Sequence, residues 1–124
     1  MAEVWMVFFR AGTCDLEAAA TALRDHGLQV SQEPGLLIAS TGESQPFRIR
    51  LSSEPHVQAE AIEIGAGTPH EAALRDLNAR FEVAIGDLDE ALDEINTLIE
   101  VQAALQEASG GYLFLPWNGH LSAP

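Results

Sequence analysis

The sequence has one cysteine and four histidines, side chains that often serve as nucleophiles and acid–base catalysts. Cys14 follows Gly12-Thr13 at a predicted helix N-terminus, where backbone amides and the helix dipole lower a thiol pKa. The adjacent Asp15 opposes a thiolate, and Ala20 stands where a phosphatase-type loop requires an arginine. No second cysteine completes a Cys-x-x-Cys pair. We therefore expect Cys14 to be a half-buried packing residue, and a small enzyme that uses Cys14 or a histidine is the second alternative function.

Side chains that bind metals occur together in two places, but neither place has the ligand spacing of a metal site. His56, Glu60 and Glu63 share a predicted helical face, whereas zinc sites prefer more His or Cys ligands. Residues 86–90 offer carboxylates without the Asp-x-Asp-x-Asp-Gly spacing of a calcium loop. We predict no metal and no cofactor. The other histidines are expected to be structural or exposed: His26, which can cap the first helix, His70 and His120.

Arg48 and Arg50 alternate with apolar residues and therefore lie on one face of a predicted strand. Two guanidinium groups in this arrangement can clamp a carboxylate or a phosphate. Because the chain has 19 acidic residues, however, internal salt bridges are the expected use of both arginines.

A run of carboxylates near the C-terminus is the strongest functional signal. Seven of the 21 residues from Asp87 to Glu107 are acidic, and no lysine or arginine follows Arg80. Two pairs of these acids stand at i,i+4 on a predicted helix, where like charges repel by about 0.2–0.5 kcal/mol per pair. A purely structural helix would gain from a cation in that register. The run therefore favours an acidic docking surface over the alternative, a solvated face that only maintains solubility.

The net charge of −13 limits the classes of partner. The first 80 residues contribute −5 and the last 44 contribute −8. Binding to nucleic acid or to an anionic membrane requires clustered Lys and Arg, so neither is expected.

A single cysteine suits a reducing cytoplasm, and the sequence has neither a basic leader nor an apolar run of about 20 residues. We predict a cytoplasmic protein.

These observations predict a noncatalytic domain that binds a basic protein. In size and charge the chain resembles bacterial immunity proteins; this resemblance is compositional and covers no motif. It implies an inhibitor that covers the basic cleft of a toxin or nuclease. The first alternative is a homodimeric small-ligand-binding or regulatory domain, with subunits paired through the Leu88–Leu105 helix face or a sheet edge. The predicted partner-binding residues are the acids Asp89, Glu90, Asp93, Glu94 and Glu100, with Trp117 as an aromatic anchor.

Hydrophobic periodicity and turn residues predict one α+β domain over residues 1–124, in the order β-α-β-β-β-α-α-β-α-β. The predicted strands are 4–9, 28–32, 36–40, 47–51, 81–85 and 112–115, with a short return strand at 120–121 after a type I′ turn at Asn118-Gly119. The predicted helices are 14–26, capped by Thr13, 68–77, opened by a Thr68–Glu71 capping box, and a long helix from Asp87 to Gly110. Residues 55–67 fit a helix or a strand.

The long helix has an apolar stripe that predicts its buried face: Leu88, Leu92, Ile95, Ile99 and Leu105, widened by Ala91, Leu98 and Val101. The expected architecture is a two-layer sandwich, with helices on one face of a mostly antiparallel sheet, ferredoxin-like in plan.

Overall fold

A computed structural model describes residues 3–124, so the first two residues of the predicted domain lie outside the described part. The strands are β1 (Glu3–Phe9), β2 (Gln29–Glu33), β3 (Leu36–Ser40), β4 (Phe47–Ser52), β5 (Ala79–Ile85), β6 (Tyr112–Leu115) and β7 (His120–Ser122). The helices are α1 (Leu16–Asp25), α2 (Pro55–Gly65), α3 (Glu71–Leu74), α4 (Leu88–Asp93) and α5 (Ile95–Ser109). The α+β class is confirmed.

The strands form one sheet in the order β2-β3-β4-β5-β1-β6-β7, and all neighbours are antiparallel. The predicted meander of β2, β3 and β4 is therefore present. β5 and β6 lie on either side of β1, so the helices between them connect two strands that do not pair. This seven-strand order differs from that of a four-stranded ferredoxin-like sheet, and the ferredoxin-like plan is not confirmed.

β1 is central because its apolar run buries side chains on both faces of the sheet. Trp5, Val7 and Phe9 point to one face, and Phe8 points to the other; all four are at most 1% exposed. The continuous run from Val4 to Phe9 predicted this position, since a strand covered on only one face alternates between apolar and polar residues.

The main core lies between one sheet face and helices α1 and α5. Small residues such as Ala19, Ala20 and Ala104 are completely buried here, together with Leu23 and Val101. Alanines at the contact let two helices and a sheet approach closely, which preserves dispersion contacts throughout the core. The core therefore depends on small side chains as well as large ones.

Helices α2 and α3 pack on the opposite sheet face, so the prediction that the helices occupy one face is wrong. Val57 and Ala61 of α2 and Leu74 of α3 form a second buried cluster with Phe8. Gly65 permits this packing, because a Cβ there would lie 2.7 Å from a Leu74 side-chain carbon. The sheet is thus covered fully on one face and partly on the other.

Several predicted boundaries differ from the observed ones. α1 begins at Leu16 because Asp15 is its N-cap and accepts a hydrogen bond from the Ala18 amide; Thr13 instead bonds to the Arg10 carbonyl. Residues 55–65 are helical, and the helix predicted over 68–77 is reduced to the four residues of α3. The turn before β7 is not type I′. That type needs a positive φ at both central residues, and within residues 3–124 only glycines have positive φ.

Candidate functional site

The predicted acidic surface is formed by α4 and by Glu94, the residue between α4 and α5. Asp89, Glu90 and Asp93 are exposed, and Asp87 begins α4 by accepting a hydrogen bond from the Glu90 amide at 3.2 Å. Acids in the first turn also interact favourably with the helix dipole. The sequence therefore places these carboxylates on a helix that tolerates them, and the fold directs them to solvent.

These carboxylates have no internal counter-charge in the described part of the chain. Within residues 3–124, ion pairs form at Arg10, His26, Arg75 and Arg80, and none of them includes an acid between positions 87 and 94. An exposed field of one sign attracts molecules of the opposite charge over a distance set by the salt concentration.

The predicted long helix is interrupted at Glu94, where the backbone takes φ −103° and ψ 46°. A ψ of this value does not continue an α-helix, and α5 starts anew at Ile95. Glu94 itself is half-buried, and its Oε2 oxygen is enclosed without a hydrogen-bond partner among residues 3–124. Ala91 and Leu98, seven positions apart on either side of Glu94, are both buried, so the interruption does not divide the buried side of the two helices.

Three residues of the predicted apolar stripe lie on a neighbouring, exposed face of α4 and α5. Leu92 and Ile95 are 43% exposed and Ile99 is 50% exposed, whereas Leu98 and Val101 form the buried side of α5. The predicted burial of the three residues is therefore wrong. Apolar side chains of this size among unpaired carboxylates are typical of a protein-binding surface. We call Leu92, Ile95 and Ile99 the apolar trio.

An open depression of about 300 Å³ adjoins Ile95 at the junction of α4 and α5. Its walls include three carboxylates, from Glu43 in the β3–β4 loop and from Asp93 and Glu94. Thr41 and Asn96 add hydrogen-bonding groups. A carboxylate-lined hollow beside apolar side chains is chemically suited to the head and stem of an arginine or lysine.

Glu100 is exposed, but it interacts with a neighbouring helix. Its Oε2 lies 2.7 Å from Nδ1 of His26, and Glu107 Oε2 lies 2.8 Å from Nε2 of the same ring. Hydrogen bonds to Glu100 and Glu107 raise the pKa of His26 above its ordinary value. His26 was expected to serve only as a helix-end residue; it also links α1 to α5, with one carboxylate on each ring nitrogen.

Trp117 lies half-buried at the turn between β6 and β7 and packs against the main core. The turn is closed by hydrogen bonds from the Asn118 and Gly119 amides to the Leu115 carbonyl. Its predicted role as an anchor remains a prediction, and the apolar trio offers more exposed apolar surface.

The remaining candidate residues occupy structural positions. Burial raises the pKa of the half-buried Cys14 thiol, and a hydrogen bond to the Asp15 backbone only partly offsets this increase; the net change is opposite to the one that activates a nucleophile. The His70 and Tyr112 rings pack against each other with their centroids 5.4 Å apart, and His120 is exposed. These positions do not bring the histidines and Cys14 together.

His56 and Glu60, considered above as metal ligands, face the buried Arg80. The Arg80 guanidinium pairs with Glu60, lies 2.7 Å from Glu82, and stacks 5.5 Å above the Phe8 ring. His56 Nε2 is 3.5 Å from the same guanidinium. A cation thus occupies the position that a metal would need, and the network fastens α2 to the sheet.

Within residues 3–124, no group of three or more His, Cys, Asp or Glu side chains is arranged to hold a metal ion. None of the helices in this part of the chain combines the length and apolar content needed to cross a membrane. No protein-family model and no curated protein matches the sequence.

Proposed function

We propose that this protein is a noncatalytic inhibitor that covers a basic surface on another protein. In its most concrete form it is an immunity-type protein that occupies the basic cleft of a toxin or nuclease. One observation carries the proposal: the exposed apolar trio stands among carboxylates that have no ion-pair partner within residues 3–124.

The carboxylates supply the first step, which is electrostatic steering. A net charge of −13, concentrated in the C-terminal third, accelerates the encounter with a cationic surface. Steered association of proteins reaches about 10⁸–10⁹ M⁻¹s⁻¹ at low salt, against about 10⁵–10⁶ M⁻¹s⁻¹ for uncharged pairs. The same charge repels nucleic acid, so the inhibitor would compete with a nuclease substrate without binding that substrate.

The apolar trio supplies the second step, in which the encounter complex becomes long-lived. Full burial of a Leu or Ile side chain contributes about 1.5–3 kcal/mol. The three residues of the trio are 43%, 43% and 50% exposed, so a partner can still bury about half of each side chain. That burial contributes about 2–4 kcal/mol in total. This free energy corresponds to an increase in affinity of about 30- to 1,000-fold, because each 1.4 kcal/mol changes the dissociation constant tenfold.

The carboxylate-lined depression supplies specificity for the partner's cation. An arginine inserted there would meet the carboxylates of Glu43 and Asp93, while its methylene stem lies against Ile95. A guanidinium fits a carboxylate with two parallel hydrogen bonds, which an ammonium group cannot form.

A cytoplasmic location fits this role. The chain has one cysteine and hence no intrachain disulfide, as is usual in a reducing compartment.

Affinity capture from the protein's own cells tests the proposal, with two charge variants used in parallel. The Asp89→Asn/Asp93→Asn bait lacks two exposed acids of the docking surface. The Glu17→Gln/Glu63→Gln bait removes the same charge from exposed positions of α1 and α2. We expect one basic protein in stoichiometric amount on the wild-type and control baits, released by salt, and at least about tenfold less on the docking-surface variant. Equal recovery on all three baits would exclude this surface.

A further inference from the structure

One strip of the outer sheet face is left open by α2 and α3. Ile38 of β3 pairs with Arg48 of β4, Arg48 with Ala84 of β5, and Ala84 with Val4 of β1. Paired residues in a sheet share a face, so the four side chains form a row across four strands. Arg48 and Ala84 are exposed, and Val4 is 43% exposed. The row is thus an apolar and cationic band without a covering helix.

The two arginines of this face do not form the internal salt bridges that the composition predicted. Arg48 and Arg50 are exposed, and the ion pairs within residues 3–124 do not include them. This is unexpected in a chain with 19 acids and six arginines. Glu82 lies opposite Arg50 in the neighbouring strand, but its carboxylate is bound to Arg80.

Carboxylates lie at the end of the same strip. An open depression of about 410 Å³ is bordered by Arg48 and Ala84 on the sheet and by Asp87 and Glu90 after it. Pro46 adds an exposed apolar wall. The strip therefore combines apolar side chains with charges of both signs, because Arg48 and the two carboxylates border the same depression.

We propose that this strip is an interface between two copies of the chain, related by a two-fold axis. In a two-fold interface the same patch meets itself, so a residue pair forms twice. A patch with both signs of charge can satisfy itself in this way: Arg48 of each copy faces Glu90 of the other. The part of the acidic surface that carries Asp89 and Asp93 cannot, since its copies would repel one another, and it fits a foreign cation instead. Of the acids of α4, Glu90 is thus assigned to the second copy, whereas Asp89 and Asp93 are assigned to the basic partner.

Charge reversal at Arg48 and Glu90 tests the pairing in the purified full chain. The measurement is molar mass by sedimentation or light scattering over a wide range of concentration, with the monomer at 13.3 kDa. Wild type should approach twice this mass. Arg48→Glu alone and Glu90→Arg alone should each raise the dimer dissociation constant about tenfold or more, because each change creates two repulsive contacts. An equimolar mixture of the two variants should recover the dimer, since both cross-contacts are then attractive.

Glu17→Arg, which alters an exposed acid of α1 on the opposite side of the sheet, is the matched control and should dimerise as wild type does. Circular dichroism of each variant establishes that the fold is retained. A wild-type protein that stays monomeric at millimolar concentration would overturn the proposal. So would a dimer that survives both reversals, or variants that fail to pair with each other. The masses are measured without any partner protein, so failure here leaves the inhibitor proposal unaffected.

Discussion

The link between His26 and two glutamates predicts that the stability of the protein depends on pH near neutrality. We consider His26→Gln, which removes the titrating ring while it keeps a polar residue at the end of α1. Both ring nitrogens lie within 2.8 Å of a carboxylate oxygen, and the two carboxylates are 51% and 72% exposed. Ion pairs with this much solvent exposure contribute about 0.2–1 kcal/mol each. The two together therefore contribute about 0.5–2 kcal/mol when the ring is protonated.

The sign of the pH dependence follows from the direction of the shift. The pKa of His26 is raised in the folded protein, so the folded state binds its proton more tightly than the unfolded chain does. The stabilisation is fully present below the unfolded value of 6.5 and is lost as the pH rises through the higher folded pKa.

Chemical denaturation of wild type and His26→Gln at pH 5.5 and pH 9 measures this difference. At pH 5.5 we expect the variant to be less stable by about 0.5–2 kcal/mol, or about 2–8 °C in melting temperature. At pH 9 the difference should become small. Glu107→Gln should show the same pH dependence at about half the size, whereas Glu17→Gln, an exposed acid of α1, should not. An equal loss of stability at both pH values would refute the argument, because a packing defect does not depend on protonation.

Three further predictions concern the core and the free thiol. Gly65→Ala should lower the free energy of unfolding by about 1–3 kcal/mol, because its Cβ would lie 2.7 Å from a Leu74 carbon; urea denaturation measures this loss. Arg80→Met should lower the free energy of unfolding by about 1–3 kcal/mol in the same assay, because it leaves two partly buried carboxylates unpaired. The control Arg75→Met removes an exposed i,i+4 ion pair and should lower it by less than about 0.5 kcal/mol. Cys14 should react with iodoacetamide at pH 7.5 more slowly than glutathione, because burial raises its pKa; a faster reaction would favour an enzyme that uses Cys14.

The strands were predictable because their signals are local. β3 has the predicted limits of Leu36 and Ser40, since Pro34-Gly35 fixes the turn before it. The alternation of Phe47, Ile49 and Arg48 likewise identified the two faces of β4. Strand order was less accessible, because β1 pairs with β5 and β6, which lie more than 60 residues away in the sequence.

The helix surfaces were predicted less well, for a physical reason. The large side chains of Ile95 and Ile99 were predicted to lie in the core. The fold instead buries Ala104, a small residue outside the predicted stripe, and directs the isoleucines to solvent. Periodicity does not distinguish a helix that packs through alanines from one that packs through isoleucines.

The acidic residues of the candidate site could be identified from composition, but their environment could not. Glu100 was predicted as part of the acidic rim, and its contact with His26 joins positions 74 residues apart. The exposure of Leu92 and Ile95 depends on which face of α4 and α5 packs in the core, and the apolar pattern of the sequence does not fix that rotation. Sequence therefore located the charge, and the tertiary structure revealed the apolar trio beside it.

The measurement that tests the central claim most directly is the association rate with the captured basic protein as a function of salt concentration. Stopped-flow mixing of wild type should give a rate that falls steeply with salt, because exposed carboxylates steer the encounter. Asp89→Asn/Asp93→Asn should associate more slowly at low salt and with a shallower salt dependence, while Glu17→Gln/Glu63→Gln should remain close to wild type. Identical rates and salt dependences for all three proteins would contradict the role of the α4–α5 surface.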